Sequence, residues 1–276
     1  MTTTLGAPRT SHPAMPAAVQ VNPRPFRLVR HSLALAKRSL IKTMRTPEAL
    51  IDVSLQPALF LVIFVYVFGG AVAGSTHDYL QFLLPGILAQ TIAMSATAIG
   101  VNMNTDISKG VFDRFRSLPI ARSAPLVGAV LADFVRYALV AVITLTVGYA
   151  MGFRIQTNPL EAGAALLVAV AFALAMSWVS VFLGMVARTP GAVQGIMILV
   201  VLPLSFGSNT FVQTSTLPGW MQGFVNVNPI THLAGVSRGL FLGGPVANHM
   251  LWTGGWIVGL TAVFMPLALR AYGRKV

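Results

Sequence analysis

Residues 160–186 read LEAGAALLVAVAFALAMSWVSVFLGMV, with one acidic residue in the first turn and no charge again until Arg188. A helix rises 1.5 Å per residue and a bilayer's hydrocarbon core is about 30 Å thick, so about 20 such residues cross it. The same reading places five more spans, at residues 53–72, 80–103, 126–151, 193–212 and 251–272. The fold class is therefore an all-α polytopic membrane protein with six transmembrane helices. Composition agrees: of 276 residues, 55% are hydrophobic and 9% are charged, against about 25% charged in a soluble domain. So much apolar surface with so little charge implies lipid as solvent.

The net charge of +12 would suggest nucleic acid in a soluble chain, but here the basic residues flank the apolar runs. Eight precede the first span (Arg9, Arg24, Arg27, Arg30, Lys37, Arg38, Lys42 and Arg45). Lys109, Arg114, Arg116 and Arg122 lie in the second loop, Arg188 in the fourth, and Arg270, Arg274 and Lys275 at the end. These are sixteen of the nineteen Lys and Arg; only Arg154 and Arg238 fall on the opposite side and Arg136 within the third span. Cytoplasmic loops hold the excess of basic residues. Both termini are predicted to be cytoplasmic, with no role in binding nucleic acid.

Residues 1–25 hold five prolines and no continuous apolar core. They read as a disordered cytoplasmic tail, not a signal peptide. Residues 26–276 form the membrane domain. At its start Phe26, Val29, Leu33, Ala36, Leu40 and Met44 recur at helical spacing among basic residues. This predicts an amphipathic helix in the interface, ending near Pro47, that anchors the chain or docks a partner. Residues 213–250 form a long loop that carries Leu217, Trp220, Met221, Phe224, Ile230, Leu233, Leu240 and Phe241. Pro218 and Pro229 stand where short helices begin, so two short re-entrant helices are predicted between spans five and six.

Motifs of catalysis are absent. There is no phosphate-binding G-x-x-x-x-G-K-[ST], no H-E-x-x-H and no cysteine, and the five histidines are scattered. No metal site and no bound cofactor are expected. Asp133 and Arg136 are ionisable residues inside the third span. At i, i+3 they share a helix face and read as an ion pair. Asp52 reads as interfacial. Asn102, Asn104 and Asn209 read as polar groups satisfied near span ends. Gly191 with Gly195, and Gly255 with Gly259, have the spacing that permits close helix packing.

Residues 106–122, DISKGVFDRFRSLPIAR, mix charge with Val111, Phe112, Phe115 and Leu118 at i, i+1, i+4 and i+7. That is one face of a short helix stopped by Pro119. Periodicity leaves two readings: a helix resting on lipid headgroups, or one that docks a soluble partner. Here GVFDRFRSLPIAR (110–122) resembles the cytoplasmic loop of type-2 ABC exporter permeases, most of all the daunorubicin-resistance branch. LPGW (217–220), NPI (228–230) and RGL (238–240) resemble that family's signature between spans five and six.

The resemblance implies a permease subunit of an ATP-driven exporter in the plasma membrane. ATP and Mg would be bound by a separate ATPase, and a second permease subunit would complete the pore. It also implies that Gly110, Val111, Phe112, Arg114, Phe115, Arg116, Leu118 and Pro119 form the ATPase-coupling helix. Pro218, Trp220, Asn228, Pro229 and Arg238 would belong to an external gate. The substrate would be drug-like, lipid-like or glycan-linked. The rival classes are an ion-coupled carrier, which needs ionisable groups near the midplane, and a membrane-embedded enzyme, which needs convergent acid, base or metal groups.

Overall fold

The computed structural model describes residues 47–110 and 124–275. The amphipathic helix, the tail and the coupling residues Val111 to Pro119 lie outside the described residues. The first apolar run starts as α1 (Pro47–Ile63), passes through a π-helical turn (Phe64–Phe68) and ends as α2 (Gly69–Ala73). Ser75 then caps α3 (Thr76–Ser95), its hydroxyl accepting from the Asp78 N–H at 3.0 Å. A break at Ala96 leads into α4 (Thr97–Ser108). Together α3 and α4 make a 33-residue apolar rod, about 50 Å long at 1.5 Å per residue. It is longer than the predicted span at 80–103.

Two long helices follow, α5 (Ala124–Met151) and α6 (Pro159–Val186). Local chemistry marks where α6 starts: Asn158 accepts from the Glu161 N–H, and Pro159 occupies the first turn, where no N–H is needed. Thr189 and Pro190 repeat the arrangement at α7 (Pro190–Phe206). After a 3-10 turn (Thr214–Thr216) come α8 (Gly219–Val227), α9 (Pro229–Leu242) and α10 (Ala247–Lys275).

Five of these segments are long and apolar enough to cross a bilayer: Leu55–Ala73, Thr76–Ser108, Gly128–Met151, Pro159–Val186 and Ala247–Arg274. The chain is an all-α polytopic membrane bundle. The predicted fifth span, 193–212, differs most. Its helix is the 17-residue Pro190–Phe206. The Ser208 hydroxyl donates to the Ser205 carbonyl at 2.6 Å and contacts the Thr210 hydroxyl at 2.8 Å, forming a compact polar turn. Phe211 beyond it stacks on Phe206 and packs at a tilt on Phe64, with ring centroids 5.2 and 4.5 Å apart, as part of a loop. Hydropathy runs straight through that turn because its serine and threonine side chains are small and lie among apolar residues.

The centre of the bundle is α6, which packs on α10, α4, α9, α5 and α3. The core joins Leu83, Leu84, Ile87 and Ile92 of α3 to Ala169, Phe172 and Ala173 of α6 and Leu233 and Phe241 of α9. Where α4 crosses α6, the Ser180 hydroxyl donates to the Thr97 carbonyl (2.8 Å) and accepts from the Gly100 N–H (3.1 Å). Asn104 donates to the Gly184 and Ala187 carbonyls, both at 2.9 Å, and so satisfies the end of α6. The small-residue spacings that permit close packing are not used among the described residues: a Cβ on Gly191, Gly195, Gly255 or Gly259 would meet nothing within 4 Å. The close approach runs instead through Gly100 and Gly184, which face each other across α4 and α6.

Candidate functional site

Three polar constellations interrupt the apolar bundle. The first holds the α8–α9 hairpin. Pro218 and Asn228 are the residues just before α8 and α9, and Pro229 takes the first turn of α9. The Asn228 Oδ1 accepts from the Ile230 N–H at 2.9 Å, and its Nδ2 donates to the Leu204 and Gly207 carbonyls at 2.7 and 2.8 Å. One side chain thus caps α9 and closes the last turn of α7. Trp220 is 81% exposed on the outer side of α8.

Arg238 comes from the same hairpin. Its Nε donates to the Phe82 carbonyl at 2.9 Å, and one terminal nitrogen donates to the carbonyls of Asn209 (2.6 Å) and Thr210 (3.3 Å). The guanidinium carbon lies 3.9 Å from the centre of the Phe82 ring. Among the described residues it has no carboxylate partner. It therefore fastens α9 to α3 and to the turn after α7. The Tyr79 hydroxyl adds a bond to the Phe211 carbonyl at 3.0 Å, and the Gln156 N–H binds the Phe241 carbonyl at 2.8 Å.

The second constellation is Asp133 with Arg136, whose carboxylate and guanidinium meet at 3.2 Å. Arg136 also donates to the Ser95 carbonyl at 2.8 Å, where α3 gives way to α4. Ser177 uses its one proton on the Ala173 carbonyl (2.8 Å), so the Tyr137 hydroxyl donates to Ser177 (2.8 Å). The 3.5 Å separation of Tyr137 from Asp133 is then only a polar contact. The ion pair lies within α5, and it is the Arg136–Ser95 hydrogen bond that ties α5 to the α3–α4 junction. These helices flank residues 111–123. Gly110, at φ +66°, closes α4 in the left-handed region that glycine adopts without strain.

The third constellation was not legible in the sequence. His232 and His249, 17 residues apart in the chain, bring their Nδ1 atoms to 3.1 Å. The usable signal was Gly243-Gly244-Pro245, a turn that folds the start of α10 back against α9.

The described residues thus form an all-α polytopic membrane bundle of the class that includes permeases. The family profile of ABC-2 type transporters matches residues 30–242. The chain is 40% identical to the daunorubicin resistance ABC transporter permease protein DrrB1 of Streptomyces coeruleorubidus, over all of this chain and 99% of that one. It is 26% identical to the probable doxorubicin resistance ABC transporter permease protein DrrC of Mycobacterium tuberculosis, over 87% and 88% of the two chains. With the inner membrane transport permease YadH of Escherichia coli the identity is 24%, over 68% and 74%. The chain belongs to the ABC-2 type transporter family. It is a multi-pass permease subunit of the plasma membrane, and ATP and Mg are bound by a separate ATPase subunit. The carrier and enzyme classes are thereby set aside.

Proposed function

We propose that this permease exports an amphipathic, drug-like substrate, and that ATP-driven movement enters through residues 110–122. The observation that carries the reading is the Asp133–Arg136–Ser95 bridge, which ties α5, the helix leaving that segment, to the last residue of α3, at its junction with α4, the helix entering the segment. An equilibrium shifts only by the differential free energy applied to it. In this reading a push on the loop is passed to the bundle through both flanking helices, and the bridge supports their moving together. Phe115 and Leu118 supply the apolar anchor to the ATPase, Arg114 and Arg116 the rim, and Gly110 and Pro119 the bounds. The resistance transporters named above motivate the drug-like substrate; their names refer to daunorubicin and doxorubicin.

In this reading Pro190–Phe206 is the fifth of six spans, both termini are cytoplasmic, and residues 26–46 lie along the inner interface after a 25-residue tail. The α8–α9 hairpin is re-entrant and forms the external gate, and two permeases and two ATPases make the transporter. Buried aromatic anchors dominate interface energy while rim charges set encounter. Phe115→Ala is therefore expected to lower recovery of the ATPase in pull-downs at equal permease abundance, and to abolish substrate-stimulated ATP hydrolysis. Equal recovery with undiminished hydrolysis defeats the coupling role. The topology has its own check in this cysteine-free chain. Ser215→Cys should react with an impermeant thiol reagent on intact cells and Ser117→Cys only after permeabilisation. Reaction of both from outside overturns the orientation.

A further inference from the structure

The contact between His232 and His249 has a defined proton arrangement. The His232 Nε2 lies 2.8 Å from the Asn226 carbonyl oxygen, which can only accept, so Nε2 carries the proton. The Nδ1 of neutral His232 is then a lone pair, and the Nδ1–H of His249 donates to it across 3.1 Å. The pair is held from several sides. The Trp252 indole stacks on the His232 ring at 5.1 Å, with 2° between the planes. The His249 ring lies against the backbone of Gly235, where an added Cβ would sit 2.6–2.7 Å from three ring atoms. Alanine at that position would push the ring away.

We propose that His232 and His249 form a two-nitrogen site for a first-row transition-metal ion such as Zn2+ or Cu2+, bridging α9 to α10. Metal–nitrogen bonds of about 2.0–2.1 Å place two ligand nitrogens about 2.9–3.4 Å apart for angles between about 90° and 109°. The observed 3.1 Å falls in that interval. The His232 Nε2–H on a backbone carbonyl is the outer contact that orients metal-binding imidazoles. Two neutral nitrogens without a carboxylate suit zinc, copper or nickel and not calcium or magnesium. Binding needs no proton release. His249 moves its ring proton from Nδ1 to Nε2 by exchange with water, and the ion takes both Nδ1 lone pairs. Among the described residues no third His, Cys, Asp or Glu joins the pair, so water completes the shell. The Arg238 guanidinium acts on His249 through space and opposes a cation. Both features make the site weak and exchangeable. With α9 in the external gate, a reading on which this consequence alone rests, a bound ion braces the hairpin against the last long helix and slows transport.

The test uses full-length permease purified with a tag that contains no histidine. Cu2+ added to the wild-type protein is expected to give an electron paramagnetic resonance spectrum with coupling to two imidazole nitrogens. It should also quench the fluorescence of Trp252. His232→Gln and His249→Gln should each weaken Cu2+ binding at least about tenfold, the lower end of the effect of losing even an outer-shell partner. His77→Gln, at a histidine outside the pair, should leave it unchanged. The wild-type spectrum does not depend on any variant folding. A spectrum without two-nitrogen coupling, or equal affinity in all four proteins, overturns the site and leaves a hydrogen-bonded pair only. In proteoliposomes with the ATPase, Zn2+ should lower substrate-stimulated hydrolysis by wild type and leave the His249→Gln rate unaffected by the metal. Two-nitrogen binding without that inhibition supports the site and overturns the brake, and with it the placement of α9 in the gate.

Discussion

Two arginines reach into this bundle from different helices, and they are neutralised in different ways. Arg136 has a carboxylate at 3.2 Å and one carbonyl at 2.8 Å. Arg238 has three carbonyls and an aromatic face. The first arrangement joins two formal charges whose loss is asymmetric: removing one strands the other in a poorly solvated place. The second joins a charge to dipoles, so removing the cation leaves neutral groups and strands no charge. The ion pair therefore fixes Arg136 on the face of α5, and the Arg136–Ser95 hydrogen bond carries that anchor across to the end of α3. The arginine–carbonyl clasp is a fastening that releases at smaller cost, which suits the gate role proposed for the hairpin.

That contrast can be broken most sharply at Asp133. Asp133→Asn is expected to cost about 3–5 kcal/mol, because Arg136 is left without its counter-charge. Asp133→Asn with Arg136→Gln should recover more than half of the loss, as measured by unfolding in mixed micelles. A double variant as damaged as the single one would remove the support for a structural pair and favour a direct role with substrate. Next comes Arg238→Gln, expected to cost about 2–3 kcal/mol, the scale of hydrogen bonds that involve a charged donor. The loss should fall on the hairpin, so a Ser215→Cys reporter should label faster while the long helices stay folded. Equal damage to the whole bundle would erase the distinction between anchor and clasp. The smallest effect belongs to Trp220→Ala. With 81% of the residue exposed, stability should change by no more than about 0.5 kcal/mol. Transport that falls at unchanged stability would show that the indole meets substrate or lipid.

The burial of the helices teaches the same lesson at larger scale. In α6, 61% of the apolar window is buried, against 6% in α10, although hydropathy marks both as spans. Leu251, Val258 and Val263 of α10 point outward, toward lipid or another subunit. Apolar composition identifies a span without telling which neighbours cover it, because lipid and protein interior are both apolar.

The amino-acid sequence by itself determined the class of solvent, the apolar runs, the basic asymmetry and most helix starts. Each of these rests on local chemistry: the length needed to cross hydrocarbon, the cost of burying charge, and caps such as Ser75, Asn158 and Thr189 that satisfy the nearest N–H groups. The Asp133–Arg136 spacing was legible for the same reason, since i, i+3 places two side chains on one face of any helix. Only the tertiary structure decided where α7 ends, what Arg238 holds, and that two histidines meet. Phe82 is 156 residues from Arg238 in the chain, and its contribution is a carbonyl oxygen that every residue type carries. Periodicity registers side chains along one helix, and it has no access to backbone acceptors or ring contacts that exist only once distant helices pack.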